Sequence, residues 1–75
     1  MPGPLPHATA AEVRRKLARD GWYVSREGAS HSIFRHPTKR GRVEVSRHMT
    51  EIIKPKTMRS ILQQAGLTVE DFQRL

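Results

Sequence analysis

Between Trp22 and Ser46 the chain holds three short runs patterned like β-strands, and the connections between them are only a few residues long. Connections of that length join antiparallel neighbours, because a parallel crossover needs a dozen residues or more. Arg42-Val43-Glu44-Val45-Ser46 alternates cleanly and turns Val43 and Val45 to one face. Trp22-Tyr23-Val24-Ser25-Arg26 and Ser30-His31-Ser32-Ile33-Phe34-Arg35 carry the aromatic and β-branched residues that favour strands. Glu27-Gly28-Ala29 is the first turn, and His36 to Gly41, punctuated by Pro37 and Gly41, is the second. A three-stranded antiparallel meander follows.

Helical patterns flank it. Thr9 followed three residues later by Glu12 is a capping box, in which each side chain satisfies the other residue's orphaned backbone N–H. Ala10, Val13 and Leu17 then form a narrow apolar stripe, and Gly21 supplies the left-handed conformation that commonly ends a helix. Arg14 and Arg15 read as a solvated face. After a crossing over Arg47–Lys54, Pro55 suits a first helical turn. Met58, Ile61, Leu62 and Ala65 give that helix a wide apolar face, and Gly66 closes it. Thr68-Val69-Glu70-Asp71 opens a short last helix with Phe72 and Leu75 available to pack. The expected fold is α+β, ordered α-β-β-β-α, with two helices on one face of the sheet and a short C-terminal helix. Function is expected on the open face. Residues 1–8, with three prolines in the first six, read as a flexible leader, and 9–75 as a single domain.

A 75-residue chain buries only about 60–65% of its unfolded surface. A deep pocket for a small-molecule cofactor is therefore not expected, and any catalysis belongs on an open surface. The chain has no cysteine, so disulfides and cysteine-based metal sites are excluded, which fits a reducing cytosol. Apolar runs reach two or three residues, too short to span a membrane. The formal net charge of +7 points to a polyanion, an acidic protein or an anionic membrane surface, with nucleic acid first.

Four histidines are present: His7, His31, His36 and His48. Their spacing does not support a metal site. Acid–base chemistry is the sharper reading, since histidine titrates near neutral pH. RNA supplies its own nucleophile in the 2′-OH, so cleaving it needs only a proton carrier and cations around the phosphate. By spacing alone, the reading of His31 as a hydrogen-bonded strand residue without chemistry outranks the catalytic one, and Lys39, Arg40 and Arg42 also fit a solvated hairpin tip. Lys54, Lys56 and Arg59 surround a helix N-terminus, where cations oppose the helix dipole unless they hold an anion. Trp22 fits the core better than a base-stacking platform.

Asp20-Gly21-Trp22, Ser30-His31, His36-Pro37 and Val43-x-Val45 together resemble the HicA family of toxins. The resemblance is strongest over Lys56-Thr57-Met58-Arg59-Ser60-Ile61-Leu62-Gln63-Gln64-Ala65-Gly66-Leu67, and it runs from about residue 9 to 75. It implies a fold like the double-stranded-RNA-binding domain and a ribosome-independent mRNA endoribonuclease that halts translation and growth. The family's catalytic histidine follows the turn between the first two strands, which is His31 here. Ser30, Lys39, Arg40, Lys54, Lys56 and Arg59 are the expected RNA contacts. The expected partners are mRNA and a HicB-like antitoxin that neutralises the activity. The free toxin is expected to be monomeric, cytoplasmic and without metal or cofactor. The sequence departs from the family pattern at Ala29 and Lys56, each in place of a glycine, at Ser32 in place of a second histidine, and in lacking a proline after Val45.

Two other functions suit the same residues. A non-catalytic module reading duplex RNA by shape would bind RNA in a salt-sensitive way without cutting it. A protein-interaction domain would use the basic face only to dock an acidic partner.

Overall fold

A computed structural model describes residues 4–75. Within them the elements run α1 (Ala10–Arg19), β1 (Tyr23–Glu27), β2 (His31–Arg35), β3 (Val43–Ser46), α2 (Pro55–Ala65) and α3 (Val69–Arg74). This is the α-β-β-β-α order with a C-terminal helix, a small α+β fold. The strands lie in sequence order in one sheet, and both pairs are antiparallel.

Register decides what each face carries. Ser32 pairs with Val45 and Phe34 with Val43, and all four side chains are buried against the helices. Because alternate residues face opposite sides, His31, Ile33 and Glu44 fall on the other face, where His31 pairs with Ser46 and Ile33 with Glu44. Val13 and Leu17 of α1 and Met58, Ile61 and Leu62 of α2 complete the core, with Phe72 of α3 at 1% exposure. Both main helices pack chiefly on β3. All five residues of β1 are therefore exposed, and its pairing slips between Val24 and Arg26. Trp22 is buried as expected, at 2% exposure, but it sits just before β1 rather than within it.

The helix boundaries follow their caps. Thr9 and Glu12 form the capping box at α1, and Thr68 and Asp71 form a second at α3. Gly66 ends α2 at φ 67°. The Thr9 backbone N–H, then its hydroxyl, holds the Glu12 carboxyl below the ordinary carboxylate range. Thr68 acts on Asp71 in the same order. Groups lowered in the folded state contribute stability above their unfolded values and lose it as pH falls through the folded ones. Wild type should thus melt higher than Glu12→Gln at neutral pH, and the gap should close below the carboxylate range. A gap that persisted in acid would contradict this origin.

Of the segment expected as a leader, residues 1–3 lie outside the described residues. Leu5 packs against the core, Ala8 is buried, and the Ala8 carbonyl accepts from the Ile53 amide at 2.9 Å. Arg15 is exposed as expected, but Arg14 is more than a solvated side chain. Its Nη1 donates to Ser32 Oγ at 2.8 Å, and its guanidinium lies 5.2 Å from the centre of the Phe34 ring. The Ser32 hydroxyl, buried on that side of β2, accepts from Arg14 and donates to Glu27 Oε1, so both its roles are filled.

A second polar cluster lies at one end of the sheet, where the start of β1 meets the end of β2. His36 Nε2 lies 2.6 Å from the Asp20 carbonyl, and His36 Nδ1 accepts from the Thr38 and Lys39 amides at 3.1 Å. Those amides fix the tautomer with the proton on Nε2. The Trp22 ring meets His36 edge-on, with centroids 5.1 Å apart. Gly21 sits at φ 103°, and a Cβ there would lie 2.7 Å from His36 Nε2. Asp20-Gly21-Trp22 and His36-Pro37 are therefore two halves of one structural lock.

Candidate functional site

The turn that delivers His31 is tied down from both sides. The Gly28 amide donates to the His31 carbonyl at 2.7 Å, so closely that a Cβ on Gly28 would lie 3.0 Å from that oxygen. From the end of β3, the Arg47 amide donates to the Ser30 carbonyl at 2.9 Å and Arg47 Nη1 donates to the Gly28 carbonyl at 2.7 Å. Arg47 thus acts as a clasp. No non-glycine residue among those described has positive φ, so Ala29 fits this turn without left-handed backbone.

His31 emerges exposed at the start of β2, with its Nδ1 3.2 Å from Ser30 Oγ. That contact directs Nε2 away from the turn. On one side lies a groove of about 450 Å³ that crosses from the open sheet face over the β3 edge to α2. The sheet contributes His31, Glu44 and Ser46 to it, and α2 contributes Lys56, Thr57, Ser60 and Gln64. On the other side a hollow of about 320 Å³ is lined by Arg26, Ile33, the 28–31 turn and Glu44. His31 and Glu44 border both.

Of the expected RNA contacts, Ser30 and Lys56 stand with His31 in these two hollows. The other four lie elsewhere. Lys39 Nζ makes an ion pair with Asp20 Oδ2 at 2.6 Å and donates to the Ala65 carbonyl at 3.0 Å, capping the end of α2. Arg40 is exposed in the β2–β3 connection, and Arg59 is exposed on α2 outside the groove lining. Lys54 precedes α2 as its N-cap, without a side-chain capping bond, and borders a separate hollow with Leu5, Pro6, Ile52 and Pro55.

Sequence reasoning missed Glu44, Thr57, Ser60 and Gln64. Lys56, Ser60 and Gln64 recur at i, i+4 and i+8, which places them on one face of α2 beside the apolar stripe. That polar row was the available signal. Glu51 also borders the groove, but it is committed to structure. It accepts from Ser46 Oγ at 3.0 Å, and its carbonyl accepts from the Ala10 amide at 2.8 Å.

His7, His36 and His48 line neither hollow. His36 follows the far end of β2, roughly 15 Å along the strand from His31, and is held by Asp20. His48 is exposed, and its amide donates to Ser46 Oγ. No group of three or more His, Asp or Glu side chains among the described residues is arranged to hold a metal ion.

The site thus brings an imidazole, a carboxylate, an ammonium and several hydroxyls to an open, shallow surface. Such a set can bind a phosphodiester and move protons around it. Residues 10–67 match the family described as the HicA toxin of bacterial toxin–antitoxin systems. No curated protein sequence matches the chain.

Proposed function

The chain belongs to the HicA toxin family and is the toxin of a toxin–antitoxin system, with an antitoxin for partner; on that premise we propose that it is a metal-independent mRNA endoribonuclease acting through His31. The observation that carries this reading is the placement of His31 of β2 and Lys56 of α2 in one open groove. An extended substrate fits a surface groove where a small molecule would find too little enclosure.

The chemistry needs no cofactor. The 2′-OH of the RNA attacks the adjacent phosphorus, and the bond to the 5′-oxygen breaks. His31 moves a proton in that step, and Lys56 offsets the charge gathering on the phosphate. The first turn of α2 adds unpaired backbone N–H groups beside Lys56 and Thr57, which favour an anion. A HicB-like antitoxin that covers the groove would block access, the simplest inhibition for an exposed site. The natural setting of this reading is a monomeric toxin acting on mRNA in the cytoplasm.

The test is incubation of the purified protein with a long single-stranded RNA in EDTA. Fragments ending in a 2′,3′-cyclic phosphate are expected, and a 2′-deoxy copy of the same strand should stay intact. Intact RNA with a salt-sensitive gel shift would instead support a non-catalytic binding module. Cleavage of the deoxy strand would refute the 2′-OH mechanism.

A further inference from the structure

We infer that Glu44 is a second catalytic residue, the general base that takes the 2′-OH proton, while His31 is the general acid for the 5′-oxygen. The inference rests on the ribonuclease reading above and divides its chemistry between two groups.

Three observations carry it. First, Glu44 and His31 are the two residues shared by the hollows on either side of the site. A phosphate seated between those hollows meets both. Second, the register pairs His31 with Ser46 and Ile33 with Glu44, so Glu44 is the diagonal same-face neighbour of His31. Diagonal neighbours stand about 7–8 Å apart at Cα, within reach of long side chains. That spacing leaves room for a phosphodiester accepting one hydrogen bond at its leaving oxygen, while the 2′-OH of the adjoining ribose donates another. Third, the Glu44 carboxylate has no hydrogen-bond or ion-pair partner among the described residues. In a chain of net charge +7, an unpartnered carboxylate on the floor of an RNA groove opposes binding. A role in the reaction accounts for a carboxylate at that position.

One proton carrier suffices for some cleavage, but an in-line displacement is fastest with a base on one side of phosphorus and an acid on the other. A single imidazole cannot occupy both sides in one step. In the proposed step Glu44 accepts the 2′-OH proton as the O2′–P bond forms. The P–O5′ bond breaks, and O5′ takes the proton from His31 Nε2, whose Nδ1 faces Ser30 Oγ. The products are a 2′,3′-cyclic phosphate and a free 5′-OH. Glu44 is left protonated and His31 neutral, and solvent returns the proton.

The decisive variants are Glu44→Gln and His31→Ala, each assayed for binding and for cleavage. The substrates are one RNA and its copy with a 5′-bridging sulfur, whose thiolate leaves without a proton. Glu44→Gln should bind RNA at least as tightly as wild type, having one negative charge fewer, yet cleave about 100-fold or more slowly. Glu44→Asp should recover part of that loss. On the sulfur substrate His31→Ala should regain near wild-type rate, while Glu44→Gln stays slow. Circular dichroism and melting should match wild type for both variants, since both positions are exposed. Cleavage by Glu44→Gln at the wild-type rate overturns this inference and leaves His31 in place. Rescue of Glu44→Gln by sulfur, with no rescue of His31→Ala, reverses the two roles and overturns it equally. Intact RNA with wild-type protein overturns the ribonuclease reading and this inference together.

Discussion

His31→Ala is expected to slow RNA cleavage by about 10²–10⁴-fold, the usual worth of a positioned proton-transfer group. The fold should be unaffected. His31 is exposed, and its side chain touches the rest of the protein through the Ser30 hydroxyl alone among the hydrogen bonds of the described residues. The strand it begins is held by backbone pairing with Ser46, and the turn before it by Gly28 and Arg47, none of which needs the imidazole. Surface substitutions of this kind change stability by about 0.5 kcal/mol or less. RNA affinity at constant salt should also persist, because Lys56 and the other cations remain. The measurement is a time course of RNA cleavage with a parallel gel shift and thermal melt. Unchanged cleavage by the variant would remove His31 from the mechanism. Lost cleavage with a melting temperature far below wild type would show that the residue is structural.

Phe72→Ala is expected to have the largest effect on stability. Phe72 lies in α3, beyond the 10–67 segment that matches the family, yet it is 1% exposed and among the largest fully buried side chains. Lys16 holds it from α1, with Nζ donating to the Phe72 carbonyl at 3.0 Å and lying 4.9 Å from the ring centre. Removing a buried phenyl group costs about 3–5 kcal/mol, through lost transfer energy and the cavity left behind. A domain of this length has a total stability of roughly 4–11 kcal/mol, so the loss would consume much of it. The melting temperature should drop by about 12–40 °C, given a shift of about 4–8 °C per kcal/mol at this size. Scanning calorimetry or a fluorescence melt reads this directly. A drop of only a few degrees would mean that α3 is an appendage rather than part of the core. Cleavage per folded molecule should be unchanged, because Phe72 does not border the groove.

The elements were legible in the chain because their signals are local. A capping box, Pro55 at a first turn and Gly66 past a last one act within a few residues of backbone, so α1, α2 and α3 lie where the sequence puts them. Alternation in Val43-Glu44-Val45 likewise survives into β3, because that strand is buried on one side by both helices. The same logic was weaker for β1, where no helix covers the strand and a register slip breaks the alternation. His31 was placed by its turn and by the family resemblance. Its exposure follows from being out of phase with Ser32 and Phe34.

Charge was the property that local reading assigned least well. Lys39 and Lys56 are both lysines beside turn or helix ends, yet one is paired with Asp20 and caps α2, while the other borders the groove. Arg14 and Arg15 are adjacent, yet only Arg14 reaches Ser32 and Phe34. A long cationic side chain is free or committed according to which carbonyl or carboxylate another element brings within about 3 Å. By itself, then, the sequence determined the order of elements, the buried faces of α1, β3 and α2, and the excess of positive charge. Only the tertiary structure decided that β3 and α2 stand side by side with Glu44, Lys56 and His31 around one groove. Periodicity says which way a residue points from its own element, whereas a site depends on the register and packing that bring distant elements together.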